Sequence, residues 1–398
     1  MMDLSRRKFL TAAGAAGIGA AVAIPTTLFA KEIFAPPQSV SFFGRHQNGI
    51  IDRMQERLYL AVLDVETESA AELETVLRKL TSAASRMSHG LDAGPIGATS
   101  GSPESPPDDT GEALNLTPAG LTFTIGFGAS IFDSRFGFAK NKPENFQALP
   151  IFARDQVLPE KLGGDLMIQV CSDDDQVAFH AIRNLIRIGK GALVVKSLQS
   201  GFSGHKTGNS IETPRNLFGF KDGTANLNTQ NEAELNEHLW VDKGWMAGGT
   251  YAAVRTFRFK VETWDRSSLL EQEQVFGRTK QDGAPLSGGT EFSKADFTSS
   301  KIPNDSHIAL AHHSKHGGAK ILRRAFNYTN GADVLGNLDA GLIFMSFQKD
   351  LEKQFVPIQN ALANNDRMNE YVAVTASAAF ACPPGLKAGQ FWGHQLFS

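Results

Sequence analysis

Cysteine is nearly missing from this chain. Its 398 residues hold two, Cys171 and Cys382, each inside an apolar run that reads as a strand. Two thiols exclude an iron–sulfur cluster of the usual four-thiolate kind. With no C-x-x-C-H anywhere, a thioether-linked haem is excluded as well. One disulfide stays open, because spacing alone does not decide it. A strong charge of either sign is also missing: 39 Lys and Arg stand against 42 Asp and Glu, a net charge of −3, which gives no support to nucleic-acid binding. Tyrosine and tryptophan are scarce, four of each, against 28 phenylalanines. That balance suits core packing or the lining of a large apolar pocket. No apolar run makes a comfortable membrane span, since the run at residues 9–24 is short and rich in Ala and Gly.

What precedes that run is informative. Ser5-Arg6-Arg7-Lys8-Phe9-Leu10 resembles the twin-arginine export signal S-R-R-x-F-L at each fixed position. Residues 1–35 therefore read as a twin-arginine signal peptide and processing region, with Ala23, Ala30 and Ala35 as candidate ends, and the protein as periplasmic or otherwise exported. A retained N-terminal anchor is the alternative reading of the same residues. Substrates of the twin-arginine route are generally exported already folded, often with a cofactor loaded.

The remaining length suits two domains, and two halves share one grammar. In the first, strands are predicted at residues 58–65, 121–128, 165–172 and 192–199. Leu73, Val76, Leu77 and Leu80 mark one helix by their i, i+3, i+4, i+7 spacing. A second helix spans 173–188, with acids at its start, and residues 94–112, dense in Gly, Pro and Ser, form a loop. The second half repeats the order with strands at 251–262, 325–329, 341–348 and 372–385 and helices at 267–278 and 350–362. Pro357 argues against a straight course for the last helix. Each half reads as a split β-α-β. The predicted fold is α+β: a tandem pair of ferredoxin-like β-α-β-β-α-β domains with antiparallel sheets, of the dimeric α+β barrel type. Residues 36–210 form the first and 211–398 the second.

Two local patterns carry chemistry. In "NLFGFKDGTANLN" (216–228) one carboxylate, Asp222, stands between Gly219 and Gly223, with aromatics before it. Taken alone, Asp-Gly is most simply a turn. Some 85 residues later four histidines crowd together, His307, His312, His313 and His316. Structural zinc wants four ligands at short spacing, and the cysteines are far away. His312, His313 and His316 read as an exposed loop before Gly317 and Gly318. His307 precedes Ile308, Ala309, Leu310 and Ala311 and is the one expected to point inward.

Together these stretches resemble the dye-decolorising (DyP-type) haem peroxidase family, in its exported, deferrochelatase-like branch. The motif G-x-x-D-G stands as Gly219 to Gly223, the proximal "SHI" as Ser306-His307-Ile308, and "LRRxxxY" as Leu322 to Tyr328. Further likeness lies in "FGRTKQDGAPL" (276–286), "GGTYAAVRTFRF" (248–259), "DLEKQFVPIQ" (350–359) and "FGRHQNGI" (43–50), so that it runs from about residue 43 to about 393.

The resemblance implies one haem b per chain, with His307 as the axial iron ligand and Gly223, Thr224, Ala225 and Arg323 as further cofactor contacts. Asp222 would move a proton between the two oxygens of hydrogen peroxide, and Arg323 would stabilise the charge that develops as they part. An aspartate is expected behind the other nitrogen of His307, though its identity is not readable. The chain departs from its relatives at Ala309 and His312-His313-Ser314, positions that often touch haem propionates in the family. Tyr251, Trp264 and Tyr328 are candidate relays to a reducing substrate, alongside plain packing roles. The partners implied are peroxide, an electron donor, iron-uptake proteins and a second copy in a homodimer. Two functions share these residues, haem peroxidase and a periplasmic haem-binding, iron-releasing protein. A metal-storage role for the His cluster is a third reading.

Overall fold

Alternation along the strands decides which residues meet. In the computed structural model, which describes residues 39–204 and 213–397, nine strands lie in one antiparallel sheet: β1 (Arg57–Val65), β2 (Thr122–Gly128), β3 (Leu166–Ser172), β4 (Leu193–Phe202), β5 (Thr250–Phe259), β6 (Leu322–Arg323), β7 (Phe326–Ala332), β8 (Leu338–Gln348) and β9 (Val372–Cys382). Their order is β5-β9-β2-β3-β1-β4-β7-β8-β6, and β5 also pairs with β8. That last pairing closes eight strands into a barrel. The expected antiparallel α+β barrel type is what the strands form, with those of both halves in one closed sheet. The seams between the halves are thin. β2 meets β9 at Phe127–Ala381 and Gly128–Phe380, and β4 meets β7 at Phe202–Asn327 alone.

Side chains of period two fill the barrel. Leu58, Leu60 and Val62 of β1, Met167 and Cys171 of β3, Ala252 and Val254 of β5, Ile343, Met345 and Phe347 of β8, and Phe380 and Cys382 of β9 form one buried cluster. Both cysteines are free thiols within it. Burial pushes the Cys171 thiol up to about 11 and raises that of Cys382 as well. The opposite face of the first-half strands packs against helices α1 (Ala70–Ser88) and α2 (Asp175–Gly189). Ser69 and Asp174 cap these helices with their side chains.

In the second half α3 (Glu232–His238) and α4 (Leu269–Phe276) precede the short α5 (His307–Ala311) and α6 (Val356–Asn365). A single π-helical turn, Leu351–Phe355, leads into α6. Pro357 falls in the first turn of the α-helix, directly after the π-helical turn, so residues 350–362 do not form one regular α-helix, as Pro357 led one to expect. Among the described residues no helix is long and apolar enough to cross a membrane. The export signal and the 210/211 boundary fall outside the described residues.

Candidate active site

An aromatic cluster joins the two motifs. Phe218 and Phe220, the residues around Gly219, are buried with Phe259, Trp264, Val275, Phe276 and Tyr371. Phe218 stacks on Phe259 and Phe220 on Phe276, each at 3.9 Å between ring centres. The aromatics before the acid are thus anchors: each buried ring contributes roughly 1.5–3 kcal/mol. They fix a loop that otherwise has no regular structure. Asn216 organises its turn, its Oδ1 accepting from the backbone N–H of Phe218 (3.1 Å) and Phe220 (3.3 Å). Gly219 and Gly223 both have positive φ, +84° and +128°. At Gly223 a Cβ would meet only Thr213 at an ordinary 3.5 Å. The glycine is required there by backbone conformation, not by space.

The loop presents Asp222 to Arg323. Arg323 Nη1 donates to Asp222 Oδ1 at 3.3 Å, with the two side chains 24% and 21% exposed. Arg323 Nη2 donates to the carbonyl of Ala225, also at 3.3 Å. Asn226, which sequence reasoning missed, holds the two segments in register: its Oδ1 accepts from Arg323 N and its Nδ2 donates to Arg323 O, both at 2.8 Å. Successive side chains of β6 take opposite faces. Arg323 pairs across to Ser346 on the face that carries half-exposed Leu342 and Phe344. Arg324 is buried and spent on the fold, donating to Asp52 O (2.6 Å) and Gln55 Oε1 (3.0 Å).

The other wall begins at α4. Ser268 caps its N-terminus, and Gly277 ends it in the left-handed region. A Cβ on Gly277 would lie 2.7 Å from Ile308 Cγ1 and 2.9 Å from Ser306 Oγ. The glycine therefore lets the start of α5 pack against the end of α4. Phe276 then lies 6.3 Å from the His307 ring. His307 Nδ1 is 2.7 Å from Asp366 Oδ2, and the Asp366 side chain is only 4% exposed. A carboxylate accepts, so Nδ1 carries the proton and Nε2 keeps its lone pair for a ligand. Asp366 is itself fixed, its Oδ1 accepting from Met368 N at 2.8 Å. Its sequence signal is that of a helix cap, which hid its role.

The other histidines are otherwise engaged. His316 Nε2 donates to Leu310 O at 2.7 Å, and His312 Nδ1 meets Ser314 Oγ at 2.8 Å while its ring packs on Phe297. His313 is exposed. Burial first, then the neighbouring cations, lower the pKa of both His312 and His313. Among the described residues no three His, Cys, Asp or Glu side chains cluster as metal ligands.

Thr224 spends its hydroxyl on Glu291 Oε1 at 2.9 Å. Arg278 follows Gly277 and donates to the carbonyls of Gly283 (2.6 Å) and Glu291 (2.9 Å). It has no ion-pair partner within 4.0 Å among the described residues. Its pKa is lowered by burial, which the Glu291 charge opposes and the nearby Arg323 charge reinforces. The charges of Arg278 and Arg323 thus act on one another, with Glu291 near the first and Asp222 paired to the second.

Residues 47–203 match the N-terminal part of the Dyp-type peroxidases and residues 213–387 the C-terminal part. The chain is 36% identical over 416 residues to a deferrochelatase of Shigella flexneri, covering 98% of this chain and 96% of that one. The solved structure of ferric DtpA from Streptomyces lividans superposes with a TM-score of 0.84 at 35% identity, over 90% of this chain and 97% of the other. A DyP-type peroxidase from Cellulomonas bogoriensis gives 0.82 at 32% identity, over 92% and 100%. The chain belongs to the Dyp-type peroxidase family.

Proposed function

We propose that this protein is a haem b peroxidase, one haem per chain, that reduces hydrogen peroxide at the expense of dyes, phenols or other electron donors. The observation that carries the reading is the His307–Asp366 contact of 2.7 Å, which leaves Nε2 as a free, oriented donor for iron. The surrounding residues fit the group. Half-exposed Leu342 and Phe344 offer an apolar wall, and the unpaired guanidinium of Arg278 suits a cofactor that carries carboxylates. Haem bound there would supply the iron centre that accepts an oxygen of peroxide and takes electrons from donors one at a time.

The chain's own groups handle protons and charge. The Asp222 carboxylate takes the proton from one peroxide oxygen and returns it to the other, which leaves as water. Arg323, always charged, sits 3.3 Å from that carboxylate. It stabilises the negative charge that builds on the departing oxygen. Gly223, Thr224 and Ala225 are the backbone residues that would contact the bound haem. Two donor electrons and two protons complete the reduction of one peroxide to water.

Electrons from bulky donors need a path. Trp264 supports the relay reading best, since it lies 5.9 Å from Phe276 and 4.9 Å from Tyr371 between ring centres. The Tyr371 hydroxyl donates to Glu271 Oε1 at 2.8 Å. Tyr328 is buried in the barrel, and Tyr251 stacks on Phe146; packing accounts for both.

We read residues 36–210 and 211–398 as tandem ferredoxin-like units. Within each half the strand order, β2-β3-β1-β4 and β7-β8-β5-β9, supports this. Export by the twin-arginine route to the periplasm and assembly as a homodimer complete the reading. A second function, release of iron from haem as part of iron uptake, is favoured by the name deferrochelatase carried by the Shigella relative. Turnover of a dye with peroxide, set against assay of free porphyrin after haem addition, separates the two. Dye turnover lost in Asp222→Asn supports the peroxidase, and porphyrin formation without dye turnover in the native protein contradicts it.

A further inference from the structure

The carboxylate of Glu291 is a charge buried in a segment with no helix or strand of its own. Removing a carboxylate from water is costly unless it is paired and hydrogen-bonded. Here it is both. Oε2 accepts from Lys221 Nζ at 2.5 Å, and Oε1 accepts from Thr224 Oγ1 at 2.9 Å and from Thr213 Oγ1. These three donors share one feature: they bracket Asp222, with Lys221 immediately before it, Thr224 two residues after, and Thr213 nine residues before it at the entry to the loop. Glu291 is held in turn by Arg278, which donates to its backbone carbonyl at 2.9 Å.

We propose that Glu291 is a positioning residue for the peroxide reaction, a clamp that sets where the Asp222 carboxylate stands. The proposal rests on the acid–base reading of Asp222 given above. Gly219 and Gly223 leave the loop pliable on both sides of the acid. The aromatic anchors Phe218 and Phe220 fix only its leading side. Beyond Asp222 the one side-chain tie back toward the 291 segment is the Thr224–Glu291 bond. Asn226 ties the trailing side to Arg323, and Glu291 adds the tie nearest Asp222, coupling the acid to the segment whose carbonyl Arg278 holds. A displacement of about 1 Å at a reacting group can cost on the order of 10²-fold in rate.

The test uses the haem-loaded protein and Glu291→Gln, whose amide offers one acceptor oxygen and turns an N–H₂ toward Lys221 or the threonines. The rate constant for reaction with hydrogen peroxide, per bound haem, should fall about ten- to a hundredfold. In the Asp222→Asn background the same substitution should cost nothing further. Amide exchange followed by mass spectrometry should quicken in residues 213–226 and stay unchanged in 306–311. A native rate per haem, an additive double variant or unchanged exchange overturns the clamp. If Glu291→Gln does not fold, Thr213→Val removes one donor at nearly constant shape. It should quicken exchange in 213–226 and slow the reaction severalfold, and no change in either overturns the proposal. Should Asp222→Asn itself react as fast as the native protein, the acid–base reading fails instead, and exchange alone then decides whether Glu291 holds the loop.

Discussion

Replacing Asp366 by Asn swaps one oxygen for an amide nitrogen at a residue that uses both. Oδ2 faces His307 Nδ1 at 2.7 Å and Oδ1 accepts from Met368 N at 2.8 Å. Asn has a single acceptor, so one of the two contacts must go. If the amide oxygen turns to His307, the ring keeps its tautomer, but a hydrogen bond to a charged group becomes a neutral one. The difference is about 1–1.5 kcal/mol. The cap on the turn at 367–370 is then lost, at a further cost of ~1 kcal/mol. A buried carboxylate behind the ring favours the more positive, ferric state of a bound iron, so its removal raises the reduction potential. At 59 mV per ~1.4 kcal/mol for one electron, the expected rise is ~40–60 mV. Spectroelectrochemical titration of the haem-loaded variant reads this shift, and thermal unfolding reads the cap. A variant that binds haem normally yet moves its potential by less than ~10 mV refutes the claim that the Asp366 charge acts through His307.

Further outcomes are expected from single changes. Asp222→Asn should keep haem and slow reaction with peroxide by ~10²–10⁴-fold, and Arg323→Leu by at least ~10²–10³-fold; stopped-flow rates unchanged in both would remove the pair from the chemistry. Phe220→Ala, which empties a ring place stacked on Phe276, should destabilise the fold by ~3–5 kcal/mol in urea unfolding, and a loss under ~1 kcal/mol would contradict its anchoring role. Because burial holds the Cys171 thiol near 11, iodoacetamide at pH 8 should label neither cysteine until the protein unfolds. Mass spectrometry showing rapid native labelling would contradict the barrel interior. Replacing Arg6 and Arg7 by Lys should leave the precursor in the cytoplasm, and normal periplasmic delivery in cell fractions would end the export reading.

Strand positions were legible because apolar runs, buried along their whole length in β2 and β3, mark them locally. β1, β2, β3 and β8 begin within a few residues of where the pattern puts them. Helix α4 was marked locally as well, since Ser268 and Gly277 punctuate it. The barrel type was expected, but the pairings that close it were not legible: β5–β8 joins residues 83 to 97 positions apart, from Arg258–Gly341 to Tyr251–Gln348, and the Phe202–Asn327 seam spans 125. Asp222 and Arg323 stood out through their motifs, and the structure brings them together at 3.3 Å. Their support did not stand out. Asp366 lies 59 residues beyond His307 and reads as an ordinary cap. Asn226 and Glu291 act through bonds to segments 97 and 78 residues away. Polar side chains that hold a site from a distance leave no periodic trace, because their partners are chosen by the fold and not by the neighbouring sequence.

In the proposed function His307, backed by Asp366, binds the iron of one haem b per chain. Titration of the purified protein with hemin, followed at the Soret band, tests it most directly when run beside His307→Ala, His312→Ala and His313→Ala. The native protein and the last two variants should saturate at one haem per chain with the same spectrum, extractable by acid acetone, and His307→Ala should lose that spectrum. A native protein that stays colourless, or a His307→Ala variant whose spectrum is unchanged, would contradict the account.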